Sequence, residues 1–321
     1  MKLSIITINY NNAEGLRKTL ASVAAQTYRN IEHIIVDGGS TDDSVGVIRE
    51  YEKKITNNQL PITIIWSSEP DRGIYNAMNK GIEIAVGRRV VNALNRSEFV
   101  EDKNKGIEIA LGKRVVDTFN RSERSEDKNK ELSDYFYFLN SGDALASDSV
   151  LERMTATLDG SDFIVGRVNS WLNGVSIGLS PLHTEKDYTM YNMFLNGINH
   201  QSVLIRRELQ EQQSYDTKLK ICGDWKFFVQ SIVVNNATIK NVDIVFADFD
   251  RSGVSSNGKA LIQERLAILK DVLPPRIAED YLKVLPNYYE VIRITWLIEH
   301  PFFYRIYRAW TTFGRKLLGD K

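Results

Sequence analysis

The chain opens on an apolar run, Leu3 to Ile8, broken only by two small hydroxyl residues, the pattern of a strand buried on both faces. Two similar runs follow, Ile31 to Val36 and Ile62 to Trp66, and a fourth, Tyr135 to Leu139, comes after a long interval. Between the first two runs, Asn11 and Asn12 offer a helix N-cap, and Leu16, Leu20 and Val23 recur at helical spacing. After Gly38–Gly39, Ser40 with Asp43 reads as a capping box for a helix carrying Val45, Val47, Ile48 and Tyr51. Strand–helix–strand alternation predicts an α/β fold with a mostly parallel, Rossmann-like sheet flanked by helices. Ligands of such sheets gather beyond the carboxyl ends of the strands. Asp37, the Ser67–Arg72 stretch and Asn140–Asp143 should therefore share one crevice. Further along, the pattern predicts a helix from Asp148 to Leu158 and strands near Phe163–Val168, His200–Ile205 and Val242–Phe246, with a helix after Gly223. From about Ser255 it becomes helical, punctuated by Pro274–Pro275, Pro286 and Pro301. A main domain over 1–255 and a helical extension over 256–321 are expected.

One interval breaks the alternation. Residues 79–103 and 104–128 are near-copies of 25 residues, both beginning NKGIEIA, and Asn129–Lys130 starts a third. Two copies are too few for a solenoid, which needs about three to bury a continuous core. A charged insertion over 79–130, entering at the amino end of the fourth strand and so opposite the crevice, is the expectation.

Composition narrows the function classes. Lys plus Arg and Asp plus Glu are both 41, so the formal net charge is zero, without the basic excess of a general nucleic-acid binder. One cysteine, Cys222, and four scattered histidines point away from a disulfide framework and a zinc site, and towards a reducing, cytoplasmic setting. Neither a secretory signal nor a membrane span is predicted.

Three acids carry candidate chemistry. Asp37 stands at a strand end before two glycines, where a carboxylate can meet a ribose or base, or serve only the turn. Asp143 closes Asn140-Ser141-Gly142-Asp143, a possible Mg²⁺ or Mn²⁺ ligand beside a diphosphate, or an ordinary turn residue. Asp224, ahead of Trp225 and the apolar Phe227–Val229, suits a general base or a helix N-cap.

Seven segments in order, SIITINYNN, VDGGSTDDS, SEPDRGIYNAMNKGIEIA, YFLNSGDAL, NHQSVLIRR, GDWKFF and ADFDRSGVSS, give a sharper reading. The chain resembles the inverting glycosyltransferases of family 2, of the bacterial polysaccharide-biosynthesis type, over roughly residues 1–80 and 131–256. The resemblance implies the A-type nucleotide-sugar-binding fold (GT-A) and transfer from a nucleotide-sugar donor, a UDP-sugar first, to a glycan or lipid-linked acceptor. Thr7, Asn9, Asp37 and Asp71 would hold the nucleoside end of the donor, with Asn140 also on the donor side. Asp143 would hold Mg²⁺ or Mn²⁺, and Asp224 would be the catalytic base. His200 and Gln201 would face the acceptor. Asn76 stands where related sequences often carry Asp. The Gln-x-x-Arg-Trp signature of processive members is absent, which implies addition of a single sugar.

The last segment, PFFYRIYRAWTTFGRKLL from Pro301, mixes aromatic and basic residues. It suits a helix lying on the inner face of the membrane, or one packed on the catalytic domain. A non-catalytic nucleotide-sugar binder or scaffold is the alternative function from a different class.

Overall fold

The computed structural model describes residues 2–87, 134–251, 258–284 and 288–318. Its elements fall into two compact units, residues 1–257 and 258–321. The tandem repeat lies outside the described residues from residue 88 onward, as does the end of ADFDRSGVSS.

In the first unit, strand β1 (Leu3–Asn9) is followed by helix α1 (Ala13–Ala24), β2 (Ile31–Asp37), α2 (Ser44–Asn57), β3 (Ile62–Ser68), α3 (Ile74–Ala85) and β4 (Tyr135–Phe138). β1 and β2 are buried along their whole length, which is why both carry apolar residues on both faces. These strands form a parallel block in the order β3-β2-β1-β4. Leu16, Leu20 and Val23 of α1 and Val47, Ile48, Tyr51 and Ile55 of α2 share one core with Leu3, Ile5, Ile31 and Ile35. α3 takes the opposite face and comes close: a Cβ on Gly81 would stand 2.5 Å from Ile6 Cγ2. α3 starts beyond the carboxyl end of β3. Tyr135 pairs with Leu3, so β4 begins level with the first residues of β1.

The chain continues through β5 (Ala144–Leu145), α4 (Val150–Thr155), β6 (Phe163–Leu172), β7 (Val175–Leu179), α5 (Met190–Leu195), β8 (Val203–Arg206), α6 (Arg207–Gln212), α7 (Gly223–Phe228) and β9 (Ile239–Asp250). Here the sheet becomes mixed. β8 is antiparallel to both β4 and β6, whereas β6 and β9 run parallel. The second unit consists, among the described residues, of helices α8 (Gly258–Val272), α9 (Pro275–Val284), α10 (Tyr288–Glu299) and α11 (Pro301–Leu318). Two of its breaks fall at Pro274–Pro275 and Pro301, since proline starts a helix well and continues one badly.

Several local expectations are corrected. The capping box at Ser40 does not form, because Asp37 takes the Ser40 hydroxyl and α2 begins only at Ser44. α4 spans Val150–Thr155 rather than 148–158. His200–Ser202 is a 3-10 turn ahead of β8, not part of the strand. β6 and β9 outrun their apolar segments because they pair with each other as far as Trp171 and Asp250. The helix after Gly223 widens into a π-helical turn over Val229–Val234.

Candidate active site

The carboxyl ends of β1, β2, β3 and β4 meet in one crevice, and the loops there are tied together by side chains. Asn12 caps α1 by accepting from Gly15 N, and its amide also donates to the Ser141 carbonyl at 3.3 Å. Asn11, held at φ 49, accepts from Thr41 N at 2.8 Å. Thr19 of α1 donates to the Asp143 carbonyl at 2.6 Å and accepts from Gly142 N at 3.1 Å. Gly142 has φ 103, a conformation that excludes most side chains, so the Asn140–Asp143 turn depends on it. Lys18 donates to the Gly142 carbonyl at 2.9 Å.

Asp37 is fully buried. Its carboxylate accepts from Asn9 Nδ2 at 2.8 Å, Ser40 N at 3.0 Å, Ser40 Oγ at 2.5 Å and Ser68 Oγ at 2.6 Å. It builds the crevice wall from behind. Asp71 lies over Gly38, where a Cβ would come within 2.7 Å of its Oδ2, and its Oδ1 accepts from Gly73 N. Asn76 Oδ1 accepts from Arg72 N at 3.3 Å and stays within that loop. Thr7 is not part of the crevice surface. It has no exposure, and its hydroxyl bonds His33 Nε2 at 3.0 Å, while His33 Nδ1 meets Tyr51 Oη at 2.9 Å. Strand alternation turns Thr7 towards α2. Burial pushes the His33 imidazole down to about 3, so this chain is neutral.

Two acids form the centre of the site, and one 3-10 turn holds both. Gln201 Nε2 donates to Asp143 Oδ2 at 2.9 Å, and Asp250 N donates to Oδ1 at 3.0 Å. His200 Nδ1 meets Asp224 Oδ2 at 2.9 Å, and His200 Nε2 meets Asn140 Nδ2 at 2.9 Å. With the Asn140 amide donating to Nε2, the ring proton lies on Nδ1 and points at Asp224. Asp224 Oδ1 accepts from Tyr75 Oη at 3.1 Å and from Trp225 N at 2.8 Å. The side chains of His200 and Gln201, the two residues expected on the acceptor side, each bond one of the two acids.

The acids differ electrostatically. Burial pushes the Asp143 carboxyl up to about 6 against the two hydrogen bonds that favour its charge. For Asp224, burial also pushes upward, but His200, Trp225 N and Tyr75 outweigh it and hold the carboxyl below its ordinary value. Burial and the Asp224 charge raise the Tyr75 hydroxyl, which therefore stays protonated and donates.

Asp143 suits a divalent cation: it is 4% exposed and has no ion-pair partner among the described residues. Asn140 Oδ1, three residues earlier in the same turn, is buried and without a hydrogen-bond partner. Asn9 Oδ1 and Ser67 Oγ are likewise unpartnered, so three such acceptors stand at the carboxyl ends of β1, β3 and β4. An unpaired buried acceptor costs about 1–3 kcal/mol, which a group bound at these strand ends would recover. No cluster of three His, Cys, Asp or Glu occurs among the described residues, so the cation would draw its remaining ligands from the donor's phosphates.

Two residues escaped the sequence reading. Tyr75 sits within the quoted segment SEPDRGIYNAMNKGIEIA, but its helical spacing marks it equally as core. Lys18 falls on the charged face of α1 and carries no motif.

This mixed α/β sheet flanked by helices has the A-type nucleotide-sugar-binding fold. Comparison with known proteins agrees. TarS from S. aureus, crystallised with UDP-GlcNAc, superposes with a TM-score of 0.53 at 16% identity, over 87% of this chain and 69% of that one. Against a longer TarS chain, the match spans 42% of its length. The mannosyltransferase PcManGT from Pyrobaculum calidifontis, crystallised with GDP-Man and Mn²⁺, gives 0.51 at 15% identity, over 88% and 69% of the two chains. An uncharacterized glycosyltransferase from Mycobacterium tuberculosis is 28% identical over 264 residues, 79% of this chain and 77% of the relative. Residues 4–93 match the family Glycosyl transferase family 2. The chain is a glycosyltransferase, similar to that family over these residues.

Proposed function

We propose that the chain is a metal-dependent, inverting glycosyltransferase that moves one sugar from a nucleotide-sugar, a UDP-sugar first, to a hydroxyl of a glycan or lipid-linked acceptor. The observation that carries this reading is the single turn His200–Gln201 fastened to both acids, which joins a phosphate-side carboxylate and a base in one crevice. The UDP-GlcNAc bound by TarS supports a uridine donor, and the GDP-Man and Mn²⁺ bound by PcManGT support a divalent cation and make guanosine donors the second choice.

Asp143 would hold Mg²⁺ or Mn²⁺, which when bound neutralises charge on the departing diphosphate. Asn9 and Asp71 would meet the nucleoside, Asp37 would fix their positions, and Asn140 would face the diphosphate. Asp224, kept ionised by His200, Trp225 N and Tyr75, accepts the proton of the acceptor hydroxyl as its oxygen bonds the anomeric carbon. The bond from that carbon to the phosphate oxygen breaks, and the nucleoside diphosphate leaves with the electron pair. One displacement inverts the anomeric centre. The chain's single cysteine, Cys222, is buried, which supports a reducing, cytoplasmic setting.

Purified protein incubated with UDP- and GDP-sugars and simple glycan acceptors, in Mn²⁺ and in EDTA, tests this. Release of nucleoside diphosphate in Mn²⁺ only, with an inverted product by proton NMR, is expected. Equal release in EDTA would overturn the metal assignment, and a retained anomer would overturn the single displacement.

A further inference from the structure

Helix α11 carries an exposed apolar face. Phe302, Phe303, Ile306, Tyr307 and Trp310 are 70%, 48%, 54%, 39% and 74% exposed. At 100° per residue these five fall within one broad arc, while Arg305, Arg308 and Thr312 fall on the opposite side. The patch extends onto α10, whose Trp296 stacks on His300 at 4.3 Å and meets the Phe303 ring at 5.4 Å. Trp296 is itself 46% exposed. Large exposed aromatics gathered on one face mark an interaction site.

Charge selects the partner. Residues 301–318 contain four basic residues, Arg305, Arg308, Arg315 and Lys316, and no acidic one, in a chain whose totals balance at 41 each. A protein groove, or a second copy of this helix, would cover the apolar face and leave that row of cations unmatched. An anionic lipid surface suits both, with rings among the acyl chains and the cations of the polar face drawn to the negative charge of the headgroup layer. No helix among the described residues is long and apolar enough to cross a membrane, so the fit is to the surface. We infer that the joint face of α10 and α11 lies in the headgroup layer of an anionic bilayer. This inference stands apart from sugar transfer and from the crevice residues.

The test uses the full chain and vesicle sedimentation, with phosphatidylcholine alone or mixed with phosphatidylglycerol. The chain should bind the mixed vesicles more tightly and be partly released by salt. Phe302→Ser with Trp310→Ser should weaken binding by at least about tenfold. Arg305→Gln with Arg308→Gln should weaken it about fivefold per arginine, and only on the anionic vesicles. Both variants change exposed side chains, so circular dichroism and donor binding should match the parent. Failure of the parent to sediment with anionic vesicles would overturn the inference. So would variants that bind as the parent does, or a dimer in solution that Phe302→Ser with Trp310→Ser converts to monomer.

Discussion

The proposed donor wall and the proposed reaction centre of this crevice hold their carboxylates in opposite ways. Asp37 in the wall is fully buried and saturated by four donors from Asn9, Ser40 and Ser68. What the wall leaves unpaired is neutral, Asn9 Oδ1 and Ser67 Oγ. In the centre the acids themselves are incomplete. Asp143 has two hydrogen bonds, and its carboxyl is pushed up to about 6 by burial. Asp224 is ionised but leaves 20% of its side chain exposed. Folding completes the wall, whereas the centre keeps charge that only a ligand can compensate. A neutral base suits the first environment, and a diphosphate with its cation suits the second.

Substitutions at the centre should therefore cost rate before they cost stability. The largest effect is expected at Asp224. Asp224→Asn keeps the size and the Tyr75 and Trp225 contacts but cannot take a proton, so turnover should fall by about two to four orders of magnitude. Near-normal turnover would reduce Asp224 to a helix-start residue. Asp143→Ala should lower turnover by about two to three orders of magnitude, the typical cost of losing one preorganised electrostatic partner of the transition state. The residual rate should no longer respond to Mn²⁺, and a variant that still does would place the cation elsewhere.

His200 sharpens the division between positioning and binding. If it acts by holding Asp224, His200→Ala should lower kcat by about tenfold to a hundredfold with little change in acceptor KM, as expected for a misplaced base. An acceptor-binding histidine would raise acceptor KM instead. Kinetics over a range of acceptor concentrations separates the two.

The smallest effect concerns the wall's side of the core and is seen in stability. His33 is pushed down to about 3 in the folded chain, against an ordinary value of 6.5. The unfolded chain therefore binds a proton between pH 6.5 and 3 that the folded chain refuses. The stability is present in full above 6.5 and is lost as pH falls towards 3. His33→Gln should remove about one proton, or about 1.4 kcal/mol per pH unit, from that slope. Urea unfolding at pH 7.5, 6 and 5 measures it, and an unchanged slope would show that the buried ring already accepts the proton.

The parallel block was legible because burial on both faces writes β1 and β2 as apolar runs, and because Asn12 announces α1. The second half of the sheet was less so. β9 is twelve residues long, and much of it is only half-buried, so its length is set by pairing with β6 rather than by its own composition. At the site, acids at strand ends were readable one by one. Their coupling was not, since Asp143 and Gln201 are 58 residues apart, Tyr75 and Asp224 149, and no local pattern records such contacts. The capping box failed for a related reason: the Ser40 hydroxyl donates to the buried charge of Asp37 and accepts from Asn9 and Asn11, not from the N–H groups that open α2.

The division of the centre into a phosphate side and a base side is tested most directly by calorimetric titration of the same UDP-sugar, with Mn²⁺, into the parent, Asp224→Asn and Asp143→Ala. The donor should bind Asp224→Asn about as tightly as the parent and bind Asp143→Ala much more weakly. Equal loss in both variants, or unimpaired binding to Asp143→Ala, would contradict the division.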